Sequence, residues 1–158
     1  MNENVINNIF AEVVEDYQIL QEIHVARSDT KKTNYFIERI ALLLAQNIVL
    51  KFYELTKGKV SKKDDVILNE EKFCEFYKKR AAEINKKYEI YRHKILGHTT
   101  SYTKEPPQTT LQDLKEMIDL LSAYVKNDGK YITSSYETSG VITKYLEAML
   151  TDPTLKSK

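Results

Sequence analysis

Reaction chemistry in this chain is concentrated in one stretch, Tyr91-Arg92-His93-Lys94-Ile95-Leu96-Gly97-His98-Thr99-Thr100, which holds two of the sequence's three histidines. A guanidinium can hold a phosphate through paired N–H donors, and imidazoles can take up and return protons near neutral pH. Their spacing sets a condition. On an unbroken helix, residues six apart lie about 120° apart around the axis and about 9 Å apart along it, so Arg92 and His98 would diverge. They converge only if the helix ends between them. Gly97 supplies the ending, because glycine enters the left-handed conformation without penalty and commonly follows a last helical residue. Ile95 and Leu96 would then anchor the last turn in the core while His98 turns back toward Arg92.

Nothing else in the sequence offers a comparable constellation. It contains no glycine-rich phosphate loop, no HExxH zinc motif and no nucleophilic elbow. A lone cysteine, Cys74, has no second thiol for a disulfide or a metal site and reads as a small core or boundary residue. No metal or cofactor is therefore expected.

The elements that must carry the stretch are helical throughout. Glu3 to Ala26 predicts a first helix, with Val5, Ile9, Phe10, Val13, Tyr17, Leu20 and His24 on an apolar stripe. On that stripe His24 reads as a core or boundary histidine without chemistry. Ser28 to Asn34 supplies a turn, with Thr33 or Asn34 placed to cap a second helix over Tyr35 to Thr56. That second helix is apolar around nearly its whole circumference, which suits a central position or a subunit interface; Glu38 and Arg39 on it read as a surface ion pair. A polar linker follows Lys57-Gly58-Lys59. Asn69 can cap a third helix whose seam of Phe73, Phe76, Tyr77, Ala81, Ile84, Tyr88, Tyr91 and Ile95 delivers Arg92 to the end of a rigid element.

Thr99 to Gln108, with Pro106-Pro107, reads as a loop beside the motif. Thr109 or Thr110 then restarts the chain. Asp113, three residues after Thr110, resembles a capping box, and Leu111, Leu114, Met117, Ile118, Leu121, Tyr124 and Val125 form a fourth stripe. Beyond Asn127-Asp128-Gly129, Tyr131 to Ser139 is rich in Ser, Thr and Tyr, and Val141, Ile142, Tyr145, Leu146, Met149 and Leu150 resume helical spacing as a fifth helix whose start the spacing does not fix. Residues 1–150 are expected to form one domain and 151–158 a flexible tail.

Arg92-His93 with His98 six positions after the arginine resembles the signature of the HEPN superfamily, an arginine followed by a polar residue with a histidine several positions beyond. The run Tyr91 to His98 also looks like the form found in HEPN proteins of the abortive-infection U type. The resemblance in helical layout extends from about Val5 to Leu150. It implies an all-α fold, an antiparallel four-helix HEPN-like bundle with an additional C-terminal helix. It further implies metal-independent endoribonuclease activity leaving 2′,3′-cyclic phosphate ends, in a toxin or phage-defence effector. On that reading His98 is the general base on the ribose 2′-hydroxyl and Arg92 stabilises charge on the phosphoryl oxygens. His93 either orients the phosphate or protonates the leaving 5′-oxygen. Tyr91, Lys94, Thr99 and Tyr102 are candidates for RNA contacts.

Partners follow from the same resemblance. Two motifs facing each other across a two-fold axis imply a homodimer, for which the apolar second helix offers a surface. An antitoxin or a nucleotidyltransferase partner is also implied, although the tyrosine that such an enzyme modifies in some relatives corresponds to Thr100, with Tyr102 out of register.

Charge distribution bears on the substrate. Residues 1–30 carry six acids against Arg27 alone, whereas residues 31–98 carry sixteen bases against nine acids. A cationic middle suits RNA, but runs such as Lys78-Lys79-Arg80 read equally well as solvated helix faces. The longest apolar run, Ile40 to Leu50, is interrupted by Gln46 and Asn47 and too short to span a bilayer, and no charged-then-apolar leader opens the sequence, so a cytoplasmic location is expected. Two other classes remain open from the residues alone: a HEPN-fold RNA- or partner-binding protein without turnover, and a plain helical interaction module.

Overall fold

A computed structural model of the chain describes residues 3–56, 75–89, 92, 108–124 and 141–152. Among them are five helices and no strands: α1 (Glu3–Thr30), α2 (Tyr35–Thr56), α3 (Glu75–Lys87), α4 (Leu111–Tyr124) and α5 (Val141–Thr151). The α2 bounds are those its periodicity predicts. α1 runs four residues past its expected end. Its last turn is held by the Thr30 hydroxyl, which donates to the Ala26 carbonyl at 2.7 Å. It stops at Lys31, whose φ of 53° places a non-glycine residue in the left-handed region that breaks helical hydrogen bonding. The expected linker and the third-helix cap at Asn69 lie outside the described residues. α5 reaches Thr151, one residue beyond the expected domain limit; residues 153–158 also lie outside the described residues.

Two caps act as their residue types dictate. Asn34, not Thr33, is the N-cap of α2: its side-chain oxygen accepts from the Ile37 N–H at 2.9 Å. At α4 the capping box is reciprocal. The Asp113 N–H donates to the Thr110 hydroxyl oxygen at 3.1 Å, and the Thr110 N–H donates back to the Asp113 carboxylate at 3.0 Å.

Contacts between helices fix their relative directions. Arg27 meets Glu38 at 2.8 Å beside the α1–α2 connection, while Asp16, further back, accepts from Asn47 at 2.6 Å, so α2 runs antiparallel to α1. Arg80 with Glu116 and Lys87 with Asp113 give α3 and α4 the same relation. Thr56 with Asn85 and Tyr53 with Arg92 do so for α2 and α3.

One buried cluster unites all five helices, drawing Phe10, Val13 and Ile23 from α1, Ile48 and Phe52 from α2, Ile84 from α3, Met117 and Leu121 from α4, and Leu150 from α5. Each fully buried side chain of this size contributes roughly 1.5–3 kcal/mol. Exposed ion pairs contribute about 0–1 kcal/mol each. The burial of Ala81, Ile84 and Tyr88 therefore holds the α3 region in place more than the Arg80 and Lys87 pairs on its flank. Those pairs answer the question the basic run poses: Arg80 forms two hydrogen bonds to Glu116, so its charge is neutralised within the fold. No described helix is long and apolar enough to cross a membrane.

The α4 cap gives a pH dependence. Burial opposes ionisation of Asp113, but the Thr110 N–H, the Lys87 ammonium and the Thr110 hydroxyl outweigh it and hold the carboxyl below its ordinary range. A carboxyl depressed in the folded state stabilises above its unfolded pKa and ceases to do so as pH falls through the folded value. Asp113→Asn should therefore lower the urea midpoint at neutral pH, and its deficit against wild type should shrink below about pH 4. A deficit that stays constant from pH 7 to 3, measured by circular dichroism, would contradict this role for Asp113.

Candidate functional site

The candidate site is built where the last turns of α2 approach the continuation of α3. Tyr53 and Thr56 lie three residues apart near the end of α2, beside the buried Phe52 and Leu55 that fix this turn in the core. Beyond Lys87 helical hydrogen bonding persists: the Tyr88 N–H donates to the Ile84 carbonyl at 3.1 Å and the Arg92 N–H to the Tyr88 carbonyl at 3.0 Å. Buried Tyr88 is the anchor. It fixes the backbone one turn before Arg92, as a rigid support for a reactive cation requires.

Arg92 leans back along the helix, the direction helical side chains favour. Its Nη1 donates to the backbone carbonyl of Asn85 at 2.8 Å and lies 3.5 Å from the Asn85 side-chain oxygen, a long contact. The guanidinium carbon sits 3.7 Å from the centroid of the Tyr53 ring. A planar cation over an aromatic face gains from the ring quadrupole, by about 0.5–2 kcal/mol depending on desolvation. Asn85 is itself held, its Nδ2 donating to the Thr56 hydroxyl at 2.9 Å, which in turn donates to the Phe52 carbonyl at 2.7 Å. The guanidinium is thus fixed on one face and at one nitrogen.

Burial lowers the Arg92 pKa, and the Tyr53 phenol and the Glu89 carboxylate act in the opposite direction. Arginine remains cationic at neutral pH regardless. Among the described residues, both side-chain hydrogen bonds of Arg92 pass through Nη1 and it forms no ion pair. The Nε–H and Nη2–H edge then forms a two-donor fork of the shape that matches two oxygens of a phosphate.

Of the residues singled out in the motif, Arg92 alone is described. Tyr91, His93, Lys94, His98, Thr99 and Tyr102 lie outside the described residues, as do Gly97 and Thr100. Nothing in the sequence assigns Tyr53, Thr56 or Asn85 to the site. Asn85 lies two turns before Arg92 on the same face, which periodicity could have indicated; Tyr53 is brought in only by the α2–α3 packing.

A second region corrects an expectation. His24 is exposed rather than at the core or its boundary, although it follows the buried Leu20 by four residues. The buried face shifts along α1, from Phe10 and Val13 to Ile23 and Ala26, as different neighbours pack against it, and that shift leaves His24 at the surface. There it lines a cleft of about 700 Å³ with Arg27, Glu38, Leu42, Thr109 and Gln112. Glu38 pairs across this region with Arg27 and not with its neighbour Arg39, and it also accepts from the Thr33 hydroxyl. Burial pushes the Glu38 carboxyl up, but these two partners prevail and hold it below its ordinary range. With Arg27 and Glu38 satisfying each other, the cleft carries no unbalanced charge from that pair.

No family model, no curated protein and no solved structure matches the chain.

Proposed function

We propose that the protein is a metal-independent endoribonuclease of the HEPN type, built as an antiparallel four-helix HEPN-like bundle with an additional C-terminal helix. The observation that carries the reading is Arg92: a half-buried guanidinium, stacked on Tyr53, anchored through Nη1 and presenting an Nε/Nη2 fork. A cation held in advance stabilises charge on a phosphoryl group without reorganising as that charge develops. In this proposal the 2′-hydroxyl loses its proton to His98, the 2′-oxygen attacks phosphorus, and the 5′-oxygen leaves with a proton. His93 supplies that proton, or hydrogen-bonds the phosphate while a water molecule supplies it, and Arg92 binds the non-bridging oxygens. The products carry 2′,3′-cyclic phosphate and 5′-hydroxyl ends. Tyr91, Lys94, Thr99 and Tyr102 contact the RNA, and a toxin or phage-defence role in the cytoplasm, restrained by an antitoxin or a nucleotidyltransferase, completes the reading.

A homodimer belongs to the same proposal. Tyr35, Phe36, Leu42 and Leu43 are exposed along α2, although side chains of this size are ordinarily withdrawn from water in contiguous patches. Tyr53 follows Tyr35 by 18 residues, which is about five helical turns, so it lies in line with this stripe at its far end. A second copy covering the stripe would bring its own Arg92 region toward the first.

One specific observation favours a second reading, an RNA- or partner-binding protein without turnover. The contacts that preorganise Arg92 also tie α3 to α2, so the residue has a structural use that needs no reaction.

Two measurements test the proposal. Purified protein incubated with mixed-sequence RNA in EDTA should release cyclic-phosphate ends, and Arg92→Ala should lower the rate by about 100-fold or more. His98→Ala should be inactive with an unchanged melting temperature. Absence of cleavage across varied RNAs, or equal cleavage by wild type and both variants, would reject the nuclease. For the assembly, light scattering at micromolar concentration should give twice the chain mass of 18.4 kDa, and Leu42→Glu with Leu43→Glu should return it to the monomer value. A monomeric wild type would remove the shared cleft.

A further inference from the structure

A cation that is to meet a phosphate needs a defined plane, and the chain builds one from residues outside the motif. We propose that Tyr53 and Asn85 are positioning residues for Arg92, committing it to receive an RNA phosphate side-on through Nε and Nη2; this rests on the reading of Arg92 as the phosphate-holding group. Three contacts carry the inference. The ring at 3.7 Å defines the guanidinium plane. The Asn85 carbonyl at 2.8 Å, with the Asn85 side-chain oxygen at 3.5 Å, turns Nη1 toward Asn85 and occupies at least one of its two N–H donors. The bond from Asn85 Nδ2 to Thr56, continued from Thr56 to Phe52, fastens the Asn85 side chain to a turn of α2 whose Phe52 is buried.

The chemistry follows from the shape of the group. An unrestrained guanidinium offers a carboxylate or phosphate either its end, Nη1 with Nη2, or its side, Nε with Nη2. With Nη1 turned toward Asn85, Nε and Nη2 form the fork that no described residue occupies. Stacking also selects arginine over lysine at this position, because an ammonium is a point charge with neither a face to lay on the ring nor a planar fork. Tyr53 and Asn85 touch no substrate in this account. They act by sparing Arg92 the rotamer entropy that binding would otherwise remove.

The test uses the full chain labelled with ¹⁵N-arginine and a 2′-O-methyl RNA oligonucleotide, which can bind and cannot be cleaved. In the wild type the side-chain resonances of Arg92 should carry the ring-current displacement of an aromatic face, and the Arg92 Nε–H resonance should move on adding the oligonucleotide. Tyr53→Leu should abolish the ring-current displacement and raise the oligonucleotide Kd about tenfold, Arg92→Lys should weaken binding similarly, and Tyr53→Phe should retain wild-type behaviour in both readouts. The Arg92→Lys and Tyr53→Phe chains keep the test decisive should Tyr53→Leu fail to fold. Positioning is overturned by an Arg92 Nε–H resonance indifferent to the oligonucleotide, by a missing ring-current displacement in the wild type, or by a folded Tyr53→Leu with wild-type Kd. Tyr53-dependent binding combined with no cleavage of unmodified RNA would uphold positioning while rejecting the nuclease.

Discussion

Burial of one face of α1 is the constraint on which the rest of the molecule depends. This 28-residue helix contacts α2, α4 and α5, and residues such as Val13, Ile23 and Ala26 are fully shielded from water. Polar groups on it are drawn inward and must be matched. Glu22, buried against α5, accepts from the Thr143 hydroxyl at 2.5 Å. Burial raises the pKa of Asp16, while the hydrogen bond from Asn47 works against that rise. Because α2 is held along α1, its last turn has a fixed place, and α3 can set Arg92 against Tyr53 there. The site is therefore a consequence of helix packing several turns away from it.

The helix ends were legible because their signals are local. Asn34 and the Thr110/Asp113 pair act within one turn of chain, and their short polar side chains satisfy helix-terminal N–H groups whatever surrounds them. Helix existence was equally plain in the apolar spacing of α2 and α4. Arg92 could be chosen because it stands beside histidines in sequence. What could not be read were relations set by packing. Tyr53 and Arg92 are 39 residues apart, and only the antiparallel approach of α2 and α3 makes them neighbours. His24 departs from its expected core or boundary place because a single stripe does not persist along the whole of α1: a long helix changes neighbours along its length. The ion pair expected of Glu38 forms with Arg27 across the α1–α2 connection and not with Arg39, because adjacent residues on a helix diverge by about 100°.

Charge patterning illustrates the same divide. A basic run is consistent with RNA, yet in α3 Arg80 and Lys87 are paired with α4 carboxylates. Arg92 differs in kind. Among the described residues it forms no ion pair and is held by a ring and a carbonyl, contacts that orient the cation, while Glu89 acts on it only as a nearby charge. That distinction, more than the count of lysines, directs attention to phosphate.

The most direct test of this account is a crystal structure of the chain with a 2′-O-methyl RNA oligonucleotide. It should place two oxygens of one phosphate about 2.7–2.9 Å from Arg92 Nε and Nη2, with the guanidinium still over Tyr53. RNA bound elsewhere, with Arg92 engaged only by protein groups, would contradict it and leave Arg92 as a tie between two helices.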